Sequence, residues 1–254
     1  MKVRRLVKAI LQINLLKTIV FNFKMLPFKT ALKLPVVFCG KTEFRSLSGK
    51  IVFKGPIYTG MIKVGPHREY VYSNVQKSVW TIKGTVVFGG PVIFRGGSYV
   101  LVAPNALLEI DSRPKPFKFV SIGANTKIIC YEHIKIGYQC VMAWECQLYD
   151  TNFHYIEYTD PLKEKEITSL VAPILIGNNT WIGNRCTISK GAVIPDWSIV
   201  AANSLVNKDF TENGSNCLFA GSPARMKASG LRRIFDSEIQ KQLDEKFHYN
   251  RCNL

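Results

Sequence analysis

The chain has 254 residues, 47% of them apolar, and carries a formal net charge of +16. This length allows one large domain with a sizeable core, and the lack of an uninterrupted apolar run of about 18 residues argues against a spanning helix. The positive charge indicates an anionic partner without identifying it. The seven cysteines include no Cys-x-x-Cys pair, which favours reduced, structural thiols over a disulfide framework.

Residues 1–39 are predicted to form a basic, amphipathic helical segment, because cations alternate with apolar residues near helical spacing. Residues 1–39 contain eight cations and no acid, and the first acid is Glu43; the cations are Lys2, Arg4, Arg5, Lys8, Lys17, Lys24, Lys29 and Lys33. The helix could pack on the domain with a solvated basic face, or residues 1–34 could contact an anionic membrane surface. A signal peptide is a third interpretation, although polar residues interrupt the apolar stretch and no cleavage site follows.

Residues 40–120 are predicted to form the irregular first coils of a repetitive β structure. Apolar residues recur there every six positions, but only in the short series Ile51, Ile57 and Val87, Ile93, Tyr99. The glycine-rich stretch 89–97 matches no phosphate-binding motif, so its glycines are expected at corners.

Residues 121–210 carry a regular six-residue repeat. Every sixth residue from Ile176 is Ile or Val, and the residue four positions after each of the first five is small. The two series are Ile176, Ile182, Ile188, Ile194, Val200, Val206 and Thr180, Cys186, Ala192, Ser198, Ser204. The repeat recurs earlier at Ile122, Ile128, at Ile136, Met142, Leu148, and at the small Cys140 and Cys146.

A period of six fits short straight segments that turn at corners, and three of them close a triangular coil of about eighteen residues. The sequence therefore predicts an all-β fold, a hexapeptide-repeat parallel β-helix with Ile and Val stacked inward and small residues at crowded corners. Gly177-Asn178-Asn179 and Gly183-Asn184 are expected to supply residues that tolerate positive φ.

The repeat stops at the stretch DTNFHYIEYTD, residues 150–160, and we expect a protruding active-site loop over 150–173. So long a loop in a compact domain is usually functional. Residues 211–254 are predicted to form a C-terminal loop and a helix that packs back on the coils. The apolar stripe of that helix comprises Leu231, Ile234, Phe235, Ile239 and Leu243.

The stretch PILIGNNTWIGNRCTISKGAVIPDWSIVAANSLVNKDF, followed by NCLFAGSPARMK, resembles the hexapeptide acyltransferases. The likeness is strongest to bacterial O-acetyltransferases of capsule, lipopolysaccharide and maltose/galactoside type, and it covers about residues 120–228 together with Asp150 and His154. The resemblance implies a left-handed β-helix, against the usual right-handed crossover. It also implies a homotrimer with acetyl-CoA in a groove between neighbouring subunits.

The resemblance implies that His154 is the catalytic base. A histidine suits this task, because an imidazole with an ordinary pKa near 6.5 can accept the proton of a hydroxyl near neutral pH. Asp150 is the candidate to fix the tautomer of His154, or else it caps the loop at a corner. No closely spaced histidine pair suggests a zinc site, so no metal is expected.

The resemblance also assigns cofactor-binding residues one by one. Trp181 would line the pantetheine arm, the backbone amides of Ala201 and Ala202 would bind that arm, and four polar side chains would contact the arm or the phosphates. The four are Asn207, Lys208, Arg225 and Lys227. Trp181 could instead cover a corner, and the cations could form a solvated face.

The resulting prediction is an acetyl-CoA-dependent O-acetyltransferase acting on a sugar hydroxyl in surface-polysaccharide assembly. It would be cytoplasmic or peripheral at the inner face of the membrane, with a glycan acceptor and no nucleic-acid partner. An amino-sugar N-acyltransferase and a non-catalytic scaffold or binding module are the alternatives. The acceptor itself does not follow from the sequence, because fold does not fix substrate.

Overall fold

The computed structural model of the chain describes residues 12–66, 76–113, 119–157, 159 and 167–248. The backbone winds into a solenoid of triangular coils, and each of its three faces is a β-sheet. We call the sheets I, II and III. Successive strands visit the three sheets in turn, so each set of three strands completes one coil of a parallel β-helix. The solenoid is of the left-handed type. The fold predicted from the sequence is therefore confirmed.

Sheet I has nine strands, which are β1 (Val36–Phe38), β4 (Ile62–Val64), β7 (Val92–Phe94), β10 (Val120–Ile122), β13 (Val141–Met142), β16 (Trp181–Ile182), β19 (Ile199–Val200), β21 (Cys217–Gly221) and the antiparallel β22 (Ala224–Ser229). Sheet II has seven, which are β2 (Thr42–Leu47), β5 (Ser78–Ile82), β8 (Tyr99–Val102), β11 (Lys127–Cys130), β14 (Gln147–Tyr149), β17 (Thr187–Ser189) and β20 (Leu205–Val206). Sheet III has six, which are β3 (Lys50–Phe53), β6 (Thr85–Phe88), β9 (Leu107–Ile110), β12 (His133–Ile136), β15 (Ile174–Ile176) and β18 (Val193–Ile194).

The six-residue series from Ile176 to Val206 lies inside the solenoid, and so do the small residues between its members. Each of these eleven side chains is at most 2% exposed. Register places Ile182 on Val200 and Ile188 on Val206, so like side chains stack from coil to coil. Small residues alternate with branched ones because a coil has no room for two large side chains on one short strand.

The earlier coils follow the same period but in a different phase from the expected one. Their fully buried series is Ile82, Phe88, Phe94 and Val100. Of the predicted series, Val87 is buried, whereas Ile93 and Tyr99 are only partly buried. Phenylalanine occupies two of the inward positions, so a repeat defined by Ile and Val does not reveal the series. Of the other short series, Ile51 is buried and Ile57 lies outside the strands.

The corners use glycine differently from the prediction. Asn179 does adopt positive φ, but the next corner places Arg185, not Gly183 or Asn184, in that conformation. Gly177 and Gly183 instead stand where the next coil passes closely. A Cβ at either position would lie 2.5 Å from a backbone nitrogen of that coil, so only glycine fits there.

The thiols are structural, as the sequence suggested. The six described cysteines are buried and free, and Cys252 lies outside the described residues. Cys146 Sγ donates to the carbonyl of Gly183 at 3.1 Å, and Cys186 Sγ donates to that of Ala201 at 3.0 Å. Burial raises the pKa of Cys140 to about 11, so this thiol stays protonated near neutral pH.

The N-terminal end of the solenoid is covered by helix α1 (Leu15–Met25) and the short helix α2 (Phe28–Ala31). The side chains of Thr18 and Asn22 hydrogen-bond backbone groups of Val36 and Phe38 in the edge strand β1. These bonds satisfy backbone groups that an open edge would leave free. The part of the expected basic helix that forms α1 therefore packs on the domain. Residues 1–11, which include Lys2, Arg4, Arg5 and Lys8, lie outside the described residues.

A C-terminal helix is present, but it is shorter than predicted. Helix α3 spans Ser237–Lys246 and buries none of its residues. Asp236 is its N-cap, accepting from the amides of Glu238 and Ile239, so residues 231–235 precede the helix. The expected packing of one continuous stripe is therefore wrong, because the cap splits that stripe between an extended segment and an exposed helix.

We predict that Ile188→Ala lowers the free energy of unfolding by about 2–5 kcal/mol, because it leaves a cavity inside the stacked core. The control is Leu175→Ala, which removes the same number of carbons from a side chain that is 37% exposed and should cost about 1 kcal/mol or less. Urea denaturation at one protein concentration measures both. Equal losses would contradict the inward stacking of the repeat.

Candidate functional site

The interruption at residue 150 is an extrusion of chain from an otherwise continuous solenoid. In sheet II, Thr187 pairs with Leu205, 18 positions later, whereas Gln147 pairs with Thr187, 40 positions later. The 22 additional residues leave after β14 and return before β15. The strands before and after the loop remain paired in register with the neighbouring coils. The loop is therefore an insertion at a corner that does not interrupt the sheets.

The two ends of the loop are joined at its base. Ala172 donates its amide to the carbonyl of Asp150 at 3.1 Å, and Asn152 donates to the carbonyl of Leu170 at 2.9 Å. Thr151 and Val171 form an antiparallel bridge between these contacts. The base is therefore a short ladder that fixes the direction in which the loop leaves the corner between sheets II and III.

Asp150 anchors this base to the preceding coil. Its side chain is fully buried, and its two carboxylate oxygens accept from the amides of Tyr131 at 2.7 Å and Glu132 at 2.9 Å. The carboxylate thus performs the corner-capping role that was one of its two predicted functions. Among the described residues it makes no hydrogen bond to His154, so its influence on the imidazole passes through the loop base.

His154 follows a tightly constrained residue. Phe153 has a φ of +62°, a costly conformation for a large side chain. Its amide donates to Thr151 Oγ1 at 3.0 Å, and its ring meets that of Tyr131 edge to face at 5.9 Å between centroids. These contacts set the direction of the backbone as it enters His154, whose side chain is exposed.

Sequence analysis missed Thr151, Phe153 and Tyr131 as positioning residues. A threonine two residues before a turn position is a local signal, since its hydroxyl can hydrogen-bond the backbone two residues on. The contact of Phe153 with Tyr131 joins two coils, and no local pattern reveals it.

Trp181 lies on the outer side of sheet I, in register between Val141 and Ile199, and is 41% exposed. The guanidinium of Arg233 lies 5.7 Å from the centroid of its ring. Arg232 lies 4.6 Å from the ring of Trp197, one corner away. The segment that precedes α3 thus runs along this face and adds two arginines that sequence analysis did not assign.

Ala201 and Ala202 form the corner between sheets I and II. The amide of Ala201 donates to the carbonyl of Phe219 at 2.9 Å, so this amide serves the stacking of the coils. Ala202 is exposed, and its amide makes no hydrogen bond to another backbone group among the described residues. Of the two amides predicted to hold a ligand, only that of Ala202 is available.

Asn207 and Lys208 lie at the same edge of the solenoid as the base of the His154 loop. Both are exposed and directly follow β20, which stacks below β17 and β14. Two steps of about 4.8 Å therefore separate this corner from the loop base. Lys190, at the same corner on the coil between them, donates from Nζ to the carbonyl of Ser169 in the loop.

Arg225 and Lys227 lie on β22, the edge strand of sheet I, and both are exposed. Arg225 pairs with Ala220, whereas a register shift leaves Lys227 unpaired in the ladder, as a bulge between Met226 and Ala228. Bulges of this kind turn a side chain away from its regular direction. The strand thus presents two cations at the end of the solenoid.

One chain does not bring all the predicted site residues together. His154, Asn207 and Lys208 belong to the corner between sheets II and III, whereas Trp181, Ala202 and the cations of β22 belong to sheet I or its boundary with sheet II. A face of the triangle, about 15–20 Å wide, separates the two corners. Within the described part of the chain, no group of three or more His, Cys, Asp or Glu residues is placed to hold a metal ion.

The comparisons with known proteins relate parts of this chain to named bacterial proteins. No family model matches the chain. A Klebsiella pneumoniae protein, named only as an uncharacterized 24.8 kDa protein in the cps region, is 42% identical over 128 residues, 50% of this chain and 54% of that protein. The galactoside O-acetyltransferase of Escherichia coli K12 is 44% identical over 66 residues, 26% of this chain and 29% of that enzyme.

Among solved structures, the polySia specific acetyltransferase NeuO matches with a TM-score of 0.57. The match covers 86% of this chain and 88% of that one at 18% identity, so it supports the fold. The chain spans about half the length, or less, of the curated relatives it matches. The resemblance to hexapeptide-repeat acetyltransferases inferred from the sequence is confirmed.

We predict that Asp150→Asn loosens the base of the loop. An amide keeps one acceptor and turns a donor toward the other backbone amide, so the free energy of unfolding should fall by about 1.5–3 kcal/mol. Hydrogen exchange at residues 150–157 and 167–172 should accelerate. Glu157→Gln, an exposed carboxylate in the same loop, is the control. Unchanged exchange and stability in the Asp150 variant would show that the carboxylate does not anchor the loop.

Proposed function

We propose that the chain is an acetyl-CoA-dependent O-acetyltransferase that acetylates a sugar hydroxyl during surface-polysaccharide assembly. The observation that carries the proposal is the extruded loop, which presents an exposed histidine from an anchored base at a corner of the solenoid. The names of the relatives support the substrate class, since one is a galactoside O-acetyltransferase and another is encoded in a cps region.

In this mechanism, acetyl-CoA supplies an activated thioester carbonyl. The imidazole of His154 accepts the proton of the acceptor hydroxyl as its oxygen attacks that carbonyl, and then donates this proton to the departing sulfur. A new ester bond forms, the carbon–sulfur bond breaks, and free CoA leaves as a thiol. Asp150, Thr151 and Phe153 act as positioning residues, because their contacts set the backbone that carries the imidazole.

The proposed active form is a homotrimer, and the separation of the two corners supports an active form that contains more than one chain. A neighbouring solenoid could place its Trp181 and Ala202 opposite the His154 loop of the first, which one chain cannot do. The groove between the two would then hold the pantetheine arm, while Asn207, Lys208 and the cations of β22 would lie near its phosphates. Cations near phosphates fit this assignment, since arginine forms paired hydrogen bonds with phosphate oxygens.

The proposed acceptor is a glycan that is carried on a membrane lipid and modified at the inner face of the cell membrane. Within the described residues, no helix has the length and apolar character needed to cross a bilayer. The N-terminal segment would hold the protein at the membrane surface, consistent with the cations among residues 1–34.

We predict that His154→Ala slows the transfer by about 10²–10⁴-fold, which is the usual contribution of a general base. Release of free thiol from acetyl-CoA measures the rate with a panel of galactosides, oligosialic acid and amino sugars, and product masses separate ester from amide formation. His248→Ala, at another exposed histidine, is the control. A loss below about tenfold would contradict the assignment of the base.

We predict that CoA raises the melting temperature by mass action, and that Arg225→Gln/Lys227→Gln weakens this shift. At a CoA concentration about 100 times its Kd, the stabilisation should approach about 2.7 kcal/mol. Lys241→Gln/Lys246→Gln in helix α3 removes two exposed cations elsewhere and should leave the shift unchanged. If millimolar CoA shifts neither protein, a non-catalytic scaffold becomes the better account.

A further inference from the structure

Helices α1 and α2 leave a large apolar surface uncovered at the N-terminal end of the solenoid. We call it the cap face, formed by Leu15, Leu16, Ile19, Val20, Phe23, Phe28 and Leu32. These side chains are between 41% and 71% exposed. Single apolar residues are common on protein surfaces, but a cluster of this size on two adjacent short helices marks an interaction site.

The cap face cannot be buried by a rotation of α1, because the opposite side of that helix is already used. The ring of Phe21 lies 4.9 Å from that of Phe38 and 5.9 Å from that of Trp80, between centroids. Asn22 and Thr18 hold the edge strand β1 by hydrogen bonds. Since the helix lies over the first coil, its free side faces away from the solenoid along the solenoid axis.

The charges beside the cap face select its occupant. Lys24, Lys29 and Lys33 lie on or directly beside the two helices, and the first 42 residues contain no Asp or Glu. Two copies of this face would bring like charges together, which disfavours a face-to-face dimer. Apolar side chains flanked by lysines instead match the boundary of a bilayer, where the chains enter the acyl region and the ammonium groups reach anionic headgroups.

We propose that the cap face docks on a bilayer containing anionic phospholipids, so that the solenoid stands end-on upon the membrane. The inference deepens the membrane contact of the proposed function and rests on that function only for the identity of the acceptor. The docking itself depends on the cap face and the lysines alone.

End-on docking sets the distance between the membrane surface and the His154 loop, where acetylation would occur. In sheet II the strands follow the order β2, β5, β8, β11, β14 from the capped end. These four steps of about 4.8 Å place the base of the His154 loop about 19 Å beyond the first coil, and the capping helix adds about 10 Å. The acetylated hydroxyl therefore belongs to a sugar well separated from the lipid anchor, not to the first sugar attached to it.

Vesicle sedimentation of the full chain tests the docking. The chain should pellet with vesicles that mix phosphatidylcholine and phosphatidylglycerol, and much less with phosphatidylcholine alone. Leu16→Gln/Phe28→Gln should reduce partition into the mixed vesicles by at least about tenfold. Lys24→Gln/Lys29→Gln should reduce it by on the order of tenfold and weaken the preference for anionic lipid.

The matched control is Ile239→Gln/Phe247→Gln, which changes two exposed apolar residues in and next to α3, 46% and 68% exposed. This control should pellet like the unchanged chain, and vesicles should slow hydrogen exchange in residues 12–33 but not in 237–248. Equal pelleting of the cap-face variant and the unchanged chain would overturn the proposal. The proposal would also be overturned if, without lipid, the cap-face variant sedimented as a smaller assembly than the unchanged chain. A second copy of the chain, and not a bilayer, would then be what covers the cap face.

Thiol release from acetyl-CoA with soluble galactosides and oligosialic acid, in the absence of vesicles, separates this proposal from the proposed function. Leu16→Gln/Phe28→Gln should retain the full rate, because the cap face lies far from the His154 loop. Vesicle binding without any turnover would leave the docking standing and reject the acetyltransferase. Turnover without vesicle binding would leave the acetyltransferase standing and reject the docking.

Discussion

The stacking of each coil on the coil beneath it is the constraint on which the rest of this structure depends. Ile182 rests on Val200 and Ile188 on Val206, and at Gly177 the next backbone passes so closely that no Cβ fits. A coil under these conditions cannot absorb extra residues within its walls. Additional chain must leave at a corner, and the longest extrusion, after β14, is the one that carries His154.

The same constraint keeps the predicted site residues of one chain apart. Short straight strands fix each outward side chain to one face or one corner, and a triangular coil holds its corners apart. His154 and Trp181 therefore lie at different places on one chain, and the proposed function assigns to a second copy the task of bringing them together. The ends of the solenoid are free of this repetition, and the N-terminal end carries the apolar, basic surface that we assign to the membrane.

The regular coils could be predicted from the sequence because each inward residue repeats within one short strand. The early coils were predicted in the wrong phase, since phenylalanine replaces Ile and Val at Phe88 and Phe94. The role of Asp150 was left between two alternatives, because its partners, the amides of Tyr131 and Glu132, come from the preceding coil. The arginines of residues 232 and 233 were missed because only the folded chain brings them over Trp197 and Trp181.

The central claim is that His154 is held beside the thioester of acetyl-CoA in a groove between two solenoids. A crystal structure of the chain with bound CoA tests it most directly. The account predicts that the CoA sulfur lies within about 4 Å of a His154 imidazole, close enough for proton transfer, with Trp181 of a second copy along the pantetheine arm. A sulfur remote from His154 of every copy would contradict the claim and leave the fold as the only part that stands.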